Sequence, residues 1–139
     1  MKRKIWAVCL VLAAAAAAFL VLLRPGAPSG SAVLRLDGKA AETPLRLSEG
    51  ADGLRVHITL DGTEIADLPF GEAHTVQVLQ GSGDENTVLL TGSSVLMQHA
   101  NCEGQDCVNM EEINRDNLET RVMSGMIICL PHRLSVEVR

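Results

Sequence analysis

The sequence has almost no aromatic residues: it contains no tyrosine, one tryptophan and two phenylalanines. Trp6 and Phe19 lie within the first 30 residues, so Phe70 is the only aromatic side chain in the rest of the chain. A core built from that remainder must therefore consist mainly of Leu, Val, Ile and Met, each of which contributes about 1.5–3 kcal/mol when fully buried. The remainder is long enough for one domain with such a core.

The sequence also lacks the short motifs that carry common enzyme chemistry. It has no Walker loop, no Rossmann glycine pattern, no His-Glu-x-x-His and no Gly-x-Ser-x-Gly. A cysteine and a histidine lie close together near the C-terminus, but no orienting Asp or Asn accompanies them at a recognisable spacing. We therefore expect a protein that is not an enzyme.

Basic residues are scarce beyond the N-terminus. Residues 30–139 contain eight Lys and Arg against 17 Asp and Glu, which gives a formal net charge of −9. Such a domain is repelled by phosphate backbones, so nucleic acid is excluded as a partner. Anionic lipid headgroups repel it as well, so we expect the domain to stand off the membrane surface.

Charge is absent from Ile5 to Leu23, a run of 19 residues. As a helix this run spans roughly 28 Å, about the thickness of a bilayer core. A basic cluster precedes it and an acidic domain follows it, which favours a cytoplasmic N-terminus. We predict a basic tip and transmembrane anchor at 1–24, a linker at 25–31 and one domain at 32–139. We therefore expect a single-pass protein of the cell membrane with an extracytoplasmic C-terminal domain.

A cleaved signal peptide is the alternative for the N-terminal segment. The alanines from Ala13 to Ala18 could supply an Ala-x-Ala cleavage site. That run lies inside the apolar stretch, however, and the stretch is longer than the core of about 7–15 residues typical of signal peptides. An uncleaved signal anchor is therefore favoured.

From Ala32 onward, short alternating apolar runs are separated by turn residues. Asp61-Gly62 stands between the alternating run Leu54–Leu60 and the run Thr63–Leu68, the pattern of a tight β-hairpin. Helical spacing is seen only from Asn109 to Val122. Further strands are predicted at 33–36, 45–47, 75–79, 87–90, 94–98 and 134–138. The fold class is therefore mainly β, a compact antiparallel β-barrel or sandwich with one short helix.

Three cysteines and a histidine form the one unusual pattern of the domain: Cys102, Cys107, Cys129 and His132. Outside the cytoplasm thiols tend to be oxidised, so one disulfide with a spare thiol is expected, and the spacing leaves open which two cysteines pair. A Cys3His zinc site is the alternative, in which Pro131 helps to shape the turn that presents Cys129 and His132. Buried reduced cysteines and a reactive thiol remain further alternatives.

Two segments of this region resemble a known family. The segment 100–108, Ala-Asn-Cys-Glu-Gly-Gln-Asp-Cys-Val, and the segment 127–136, Ile-Ile-Cys-Leu-Pro-His-Arg-Leu-Ser-Val, are similar to the signature of the NusG domain II-like family. The strand–Asp-Gly–strand pattern that precedes them fits as well, so the resemblance covers about 31–139. The family usually has proline where this chain has Glu103.

The resemblance implies a compact β-rich domain in which the three cysteines, Pro131 and His132 are the family's characteristic residues. Such domains occur inserted in some NusG transcription factors and also alone behind a membrane anchor, and this chain looks like the stand-alone form. A transcription role does not follow, because no NusG N-terminal domain or KOW module is present.

The function we expect is that of a non-enzymatic interaction or accessory module with an unidentified protein partner. The alternative is a thiol-redox or metal-handling module that uses Cys102, Cys107, Cys129 and His132. No cofactor is expected for the interaction module, and zinc is the candidate for the alternative.

Overall fold

The computed structural model describes residues 32–48 and 53–139. The predicted anchor and linker, residues 1–31, lie outside this part. Within the described residues, no helix is both long and apolar enough to span a membrane.

Burial alternates along the strands, because every second side chain of an extended segment points to the same face. In the strand Arg55–Leu60, Val56, Ile58 and Leu60 are buried while the residues between them are only partly covered. The described residues form eleven strands: β1 Ala32–Leu36, β2 Lys39–Ala41, β3 Leu45–Arg46, β4 Arg55–Leu60, β5 Thr63–Pro69, β6 Ala73–Gln80, β7 Glu85–Thr91, β8 Ser94–Ala100, β9 Ile113–Asn114, β10 Met126–Cys129 and β11 Leu134–Val138.

The strands belong to two sheets. Sheet I has the order β2-β1-β6-β7-β8-β9, and sheet II has the order β10-β11-β4-β5-β3. All pairings are antiparallel except that of β3 with β5, which is parallel. The mainly β prediction is confirmed, but the wholly antiparallel arrangement is wrong at β3.

Neither sheet closes on itself, so the barrel alternative is wrong. The four outer strands are short: β2, β3 and β9 have two or three residues each, and β10 has four. Such short edges limit pairing with further strands. Buried side chains of the two sheets, including Ile58 and Leu68 from sheet II and Val78 and Leu90 from sheet I, join in one apolar cluster with Phe70.

The hairpin predicted at Asp61-Gly62 is confirmed. β4 and β5 pair through this turn with Leu60 opposite Thr63. Asp61 and Gly62 have φ angles of 53° and 76°. Both central residues of this two-residue turn therefore adopt positive φ, which Asp and Gly tolerate best.

The short helix lies elsewhere than predicted. It is α1, Asp106–Asn109, and it ends where the predicted helix was to begin. In the predicted segment the Asn114 side-chain oxygen accepts hydrogen bonds from the backbone N–H groups of Asp116 and Asn117, both at 3.0 Å. Such local side-chain bonds stabilise turns at the expense of helix. The helix prediction for 109–122 is therefore wrong.

Candidate functional site

The three cysteines of the domain meet where the two sheets approach each other. Cys102 follows β8 of sheet I, and Cys129 is the last residue of β10 in sheet II. Cys107 lies in α1, which contacts both of these strands. All three side chains are buried. The sequence pattern therefore becomes one buried cluster, which we call the cysteine cluster.

The loop between Cys102 and Cys107 is held by the side chain of Gln105. Its amide donates hydrogen bonds to the backbone carbonyls of Ala100 at 2.6 Å and Cys102 at 2.5 Å. Gln105 itself has a positive φ of 54°, so the chain reverses there before α1 begins. These hydrogen bonds hold the loop in a conformation that brings the Cys107 thiol back toward Cys102.

The sulfur atoms of Cys102 and Cys107 are 3.8 Å apart. A disulfide bond is about 2.05 Å long, and all three cysteines of the cluster are free thiols. The expected disulfide is therefore not confirmed. The two sulfurs are in hydrogen-bonding contact instead.

Burial makes the Cys107 thiol an unusually weak acid. Desolvation raises its pKa from 9.0 to about 12, and contacts with Cys129 and then Cys102 act in the same direction. At neutral pH this group is a protonated thiol, whereas nucleophilic cysteines need a thiolate. Cys107 in this form is poorly suited to act as a nucleophile.

His132 lies in the turn that joins β10 to β11. The backbone N–H of Arg133 donates to the carbonyl of Leu130 at 3.1 Å, which closes a four-residue turn with Pro131 at its second position. Proline favours this position because its ring fixes φ near the required value. The turn places His132 at the buried end of sheet II.

Two polar side chains of sheet I hold the histidine. The Nδ1 atom of His132 lies 2.8 Å from Oδ1 of the fully buried Asn86 in β7. Gln80 of β6 donates its side-chain N–H to the carbonyl of His132 at 3.0 Å. His132 thus links the two sheets, since its own turn belongs to sheet II.

The bond to Asn86 selects the form of the imidazole ring. An amide oxygen can only accept, so Nδ1 donates and the Nε2 lone pair of the neutral ring stays available. The nearest carboxylate oxygen of Asp84 is 3.7 Å from Nε2, which is beyond hydrogen-bonding distance. A ring nitrogen of His132 and the sulfurs of Cys102 and Cys129 all lie within 4.8 Å of one another.

Asn86 and Gln80 are site residues that the sequence analysis did not identify. Both are buried polar side chains within strands. A polar residue at an inward-facing strand position could have indicated them. That position can be recognised only when the register of β6 and β7 is known. The predicted strand at 87–90 began one residue after Asn86.

A cleft of about 390 Å³ opens beside the cysteine cluster. The three cysteines line its buried part. Its outer part is mostly apolar and is formed by Met110, Met123, Ile128, Leu130 and Pro131. Leu130 is 78% exposed and Met123 is 41% exposed. We call this feature the cysteine cleft.

A second group of ligand-type side chains lies on sheet II. Ligand atoms of His57, Glu64 and Asp67 are within 4.8 Å of one another. Arg46 bonds Glu64 at 2.9 Å, and Arg55 bonds Asp67 at 2.6 Å. Because arginines already neutralise both carboxylates, this group is an ion-pair network. It is a poor metal site.

The remaining histidines lie away from the cleft. His74 bonds two carboxylates near the turn between β1 and β2. His99 is exposed on β8.

The sequence model of the NusG domain II family matches residues 6–139. The chain belongs to this family. The resemblance carried by the cysteine segments is therefore confirmed. No curated protein matches the chain.

Solved structures show the same fold. A DUF1312 family protein from Enterococcus faecalis V583 is similar with a TM-score of 0.54 and 22% identity, over 62% of this chain and 95% of that chain. The Lin0431 protein from Listeria innocua is similar with a TM-score of 0.52 and 20% identity, over 62% and 94% of the two chains. At these identities the likeness concerns the fold alone.

Proposed function

We propose that this NusG domain II protein is a membrane-anchored, extracytoplasmic interaction module without enzymatic activity. Its partner is a second protein that inserts an apolar segment into the cysteine cleft. The single observation that carries the proposal is the apolar, partly exposed wall of that cleft, formed by Met123, Leu130 and Pro131. The anchor is the uncharged run of residues 5–23.

Of the four large apolar side chains that are exposed among the described residues, three lie at or beside the cleft, and Val33 on β1 is the exception. Leu130 and Met123 both line the cleft, and the fully exposed Val122 borders a neighbouring depression that shares Met110 and Met123. Grouped exposed apolar side chains beside a concave site are typical of protein-binding surfaces. A single exposed leucine would need no such explanation.

Charge favours a protein partner with basic residues next to its apolar segment. The exposed Asp106 lines the cleft, whereas Glu111 beside the neighbouring depression is paired with Arg121 at 4.0 Å. The domain as a whole carries a formal charge of −9. An anionic membrane surface is repelled by the same charge, so lipid is a poorer occupant than a basic protein segment.

Thiol catalysis is disfavoured by the burial of the cysteines and by the raised pKa of Cys107. The cysteines are buried, and burial raises the pKa of Cys107 to about 12. Thiol oxidoreductases instead expose a cysteine whose pKa is lowered. The thiol-redox alternative therefore has less physical support than the interaction module.

Site-specific photo-cross-linking of the full-length protein in its host cells tests this proposal. A photoreactive phenylalanine derivative replaces Leu130 or Met123 in turn. We expect both positions to give the same cross-linked protein, and the peptide attached to each to be apolar with basic flanks. In a chain carrying the probe at Met123, Leu130→Asp should remove most of the product, because a buried charge is costly.

Val33 is the matched control position, since it is 55% exposed but lies on β1, away from the cleft. The probe there should not capture the same protein. Cross-links only to a second copy of this chain, only to lipid, or equally from Val33 would each contradict the proposal. So would the absence of any cross-link from both cleft positions.

A further inference from the structure

We propose that Cys102, Cys107, Cys129 and His132 together bind one zinc ion in a closed, tetrahedral structural site. This inference goes beyond the interaction function, because it concerns how the two sheets are joined beneath the cleft. It does not depend on the identity of the partner.

The spacing of the sulfur atoms fits the coordination geometry. Two thiolates bound at about 2.3 Å to one tetrahedral zinc ion lie about 3.8 Å apart. The sulfurs of Cys102 and Cys107 are separated by 3.8 Å. The Cys107 thiol also hydrogen-bonds the thiol of Cys129. Cys107 lies outside the group of Cys102, Cys129 and His132 whose ligand atoms are all within 4.8 Å of one another. Binding of one ion by all four residues therefore requires the Cys107 sulfur to move toward the other three ligand atoms.

The imidazole distinguishes this cluster from thiols that are merely buried together. A ring nitrogen of His132 lies within 4.8 Å of the sulfurs of both Cys102 and Cys129. In the zinc-bound form these three groups close around the metal at bonding distance. A polar imidazole beside two buried thiols has no packing advantage over an apolar side chain, whereas together with Cys107 it completes a Cys3His ligand set.

The histidine is oriented as metal-binding histidines are. Zinc-bound imidazoles typically donate the N–H of their other nitrogen to a protein oxygen, which fixes the ring and its tautomer. The buried Asn86 supplies that oxygen at 2.8 Å from Nδ1. The lone pair of Nε2 is then the one that binds the metal.

The donor set selects a soft or borderline cation. Three thiolates and one imidazole suit Zn²⁺ and are unsuited to Mg²⁺ or Ca²⁺, which prefer oxygen ligands. Binding releases one proton from each thiol, so three protons leave as the ion enters. Four protein ligands leave no open position for water, and the site is therefore structural rather than catalytic.

The ion joins elements that the chain connects only at a distance. Cys102 and Cys107 follow sheet I, whereas Cys129 and His132 belong to sheet II. A bond network through one metal fixes the mutual position of the two sheets at this end of the core. It also sets the shape of the cysteine cleft, because all three cysteines line that cleft.

The test is a metal titration of the full-length protein in detergent micelles, after reduction and treatment with a chelator under anaerobic conditions. Cobalt(II) added first should give the visible absorption of a tetrahedral thiolate complex at one equivalent. Zinc should displace it, also at one equivalent. Zinc should raise the melting temperature measured by far-UV circular dichroism.

Ligand variants and matched controls locate the site. Cys129→Ser and Cys107→Ser should each lower zinc affinity by about 100-fold or more, since each removes a direct ligand. His132→Asn should change the cobalt spectrum as well as the affinity. Cys9→Ser removes the one cysteine outside the cluster, and His99→Asn removes an exposed histidine, so both should bind zinc like the natural chain.

Several results would overturn the proposal. Folded, reduced protein that takes up no stoichiometric zinc would do so, as would binding that Cys129→Ser and Cys107→Ser leave unchanged. A Cys102–Cys107 disulfide that persists in protein isolated from its native compartment would equally exclude the zinc site in vivo. Cross-linking from Leu130 and Met123 is measured independently of metal binding, so failure of one proposal is distinguishable from failure of the other.

Discussion

His74 bonds two carboxylates at once beside the turn between β1 and β2. Its Nδ1 lies 2.9 Å from Asp37 and its Nε2 lies 3.3 Å from Glu72. Burial by itself would lower the pKa of His74, but the hydrogen bonds and charges of Asp37 and Glu72 outweigh it and raise the pKa above 6.5. The backbone N–H of Thr75, followed by His74, lowers the pKa of Asp37 below 3.8.

We predict a pH-dependent contribution of His74 to stability. A raised histidine pKa stabilises the folded state below the unfolded value and ceases to do so as pH rises through the folded value. The stability lost on His74→Gln should therefore be larger near about pH 6 than near about pH 9. Denaturant unfolding followed by circular dichroism measures it, with the exposed His99→Gln as the control. An equal loss at both pH values would contradict the ion-pair role of His74.

Among single residues, the four of the cysteine pattern were those from which the sequence located the candidate site. Cys102, Cys129 and His132 could be read from the sequence because unusual residue types at short spacings indicate chemistry. Asn86 could not be identified from the sequence. A single asparagine in a strand gives no hint that it bonds a histidine of the other sheet.

Turn chemistry was the most reliable guide at the level of secondary structure. Asp61-Gly62 predicted the β4–β5 hairpin because few residue pairs accept two positive φ angles. The edge strands β2 and β9 and the strand β10 were missed, since two to four residues carry little periodicity. The loosely helical segment 109–122 instead forms turns through its asparagine side chains.

The turn before β10 depends on a glycine. A Cβ at Gly125 would lie 2.5 Å from the backbone oxygen of Val138 and 2.7 Å from the Leu118 side chain. The backbone oxygen cannot withdraw without disturbing β11, and the N–H of Val138 also donates to the carbonyl of Gly125 at 2.8 Å. This close approach leaves no room for a side chain.

We therefore predict that Gly125→Ala lowers the free energy of unfolding by about 1–3 kcal/mol. Gly104→Ala is the control, because its added Cβ would meet only the flexible, exposed carboxylate of Asp106 at 3.3 Å. We expect it to cost no more than about 0.5 kcal/mol. Urea unfolding of the two variants measures the difference. A loss for Gly104→Ala as large as that for Gly125→Ala would refute the steric argument.

On the scale of the whole molecule, one apolar cluster spans both sheets. Apart from Phe70, Met97 and the three cysteines, its buried members are all leucine, isoleucine, valine or alanine. Phe70 is 1% exposed, and the guanidinium of Arg115 lies 5.4 Å from the centre of its ring. The ring is the largest fully buried side chain of the described residues.

Phe70→Ala should destabilise the domain by about 3–5 kcal/mol, because it removes a large buried ring and leaves a cavity. Such a loss is a substantial part of the roughly 5–15 kcal/mol typical of a natural domain. Leu130→Ala, at a largely exposed position, should change stability by less than about 0.5 kcal/mol. Thermal and urea unfolding both report this comparison. Near-equal effects of the two substitutions would contradict the central position of Phe70 in the core.

The sequence by itself determined the β-rich class, the Asp-Gly hairpin, the family and the types of residue at the cysteine cluster. These features depend on local alternation, turn conformations and residue chemistry, which neighbouring residues already specify. Only the tertiary structure decided that the sheets stay open, that β3 pairs in parallel, and that Asn86 and Gln80 hold His132. It also decided the cleft beside the cysteines. Each of these depends on contacts between strands distant in sequence, whose pairing no local pattern encodes.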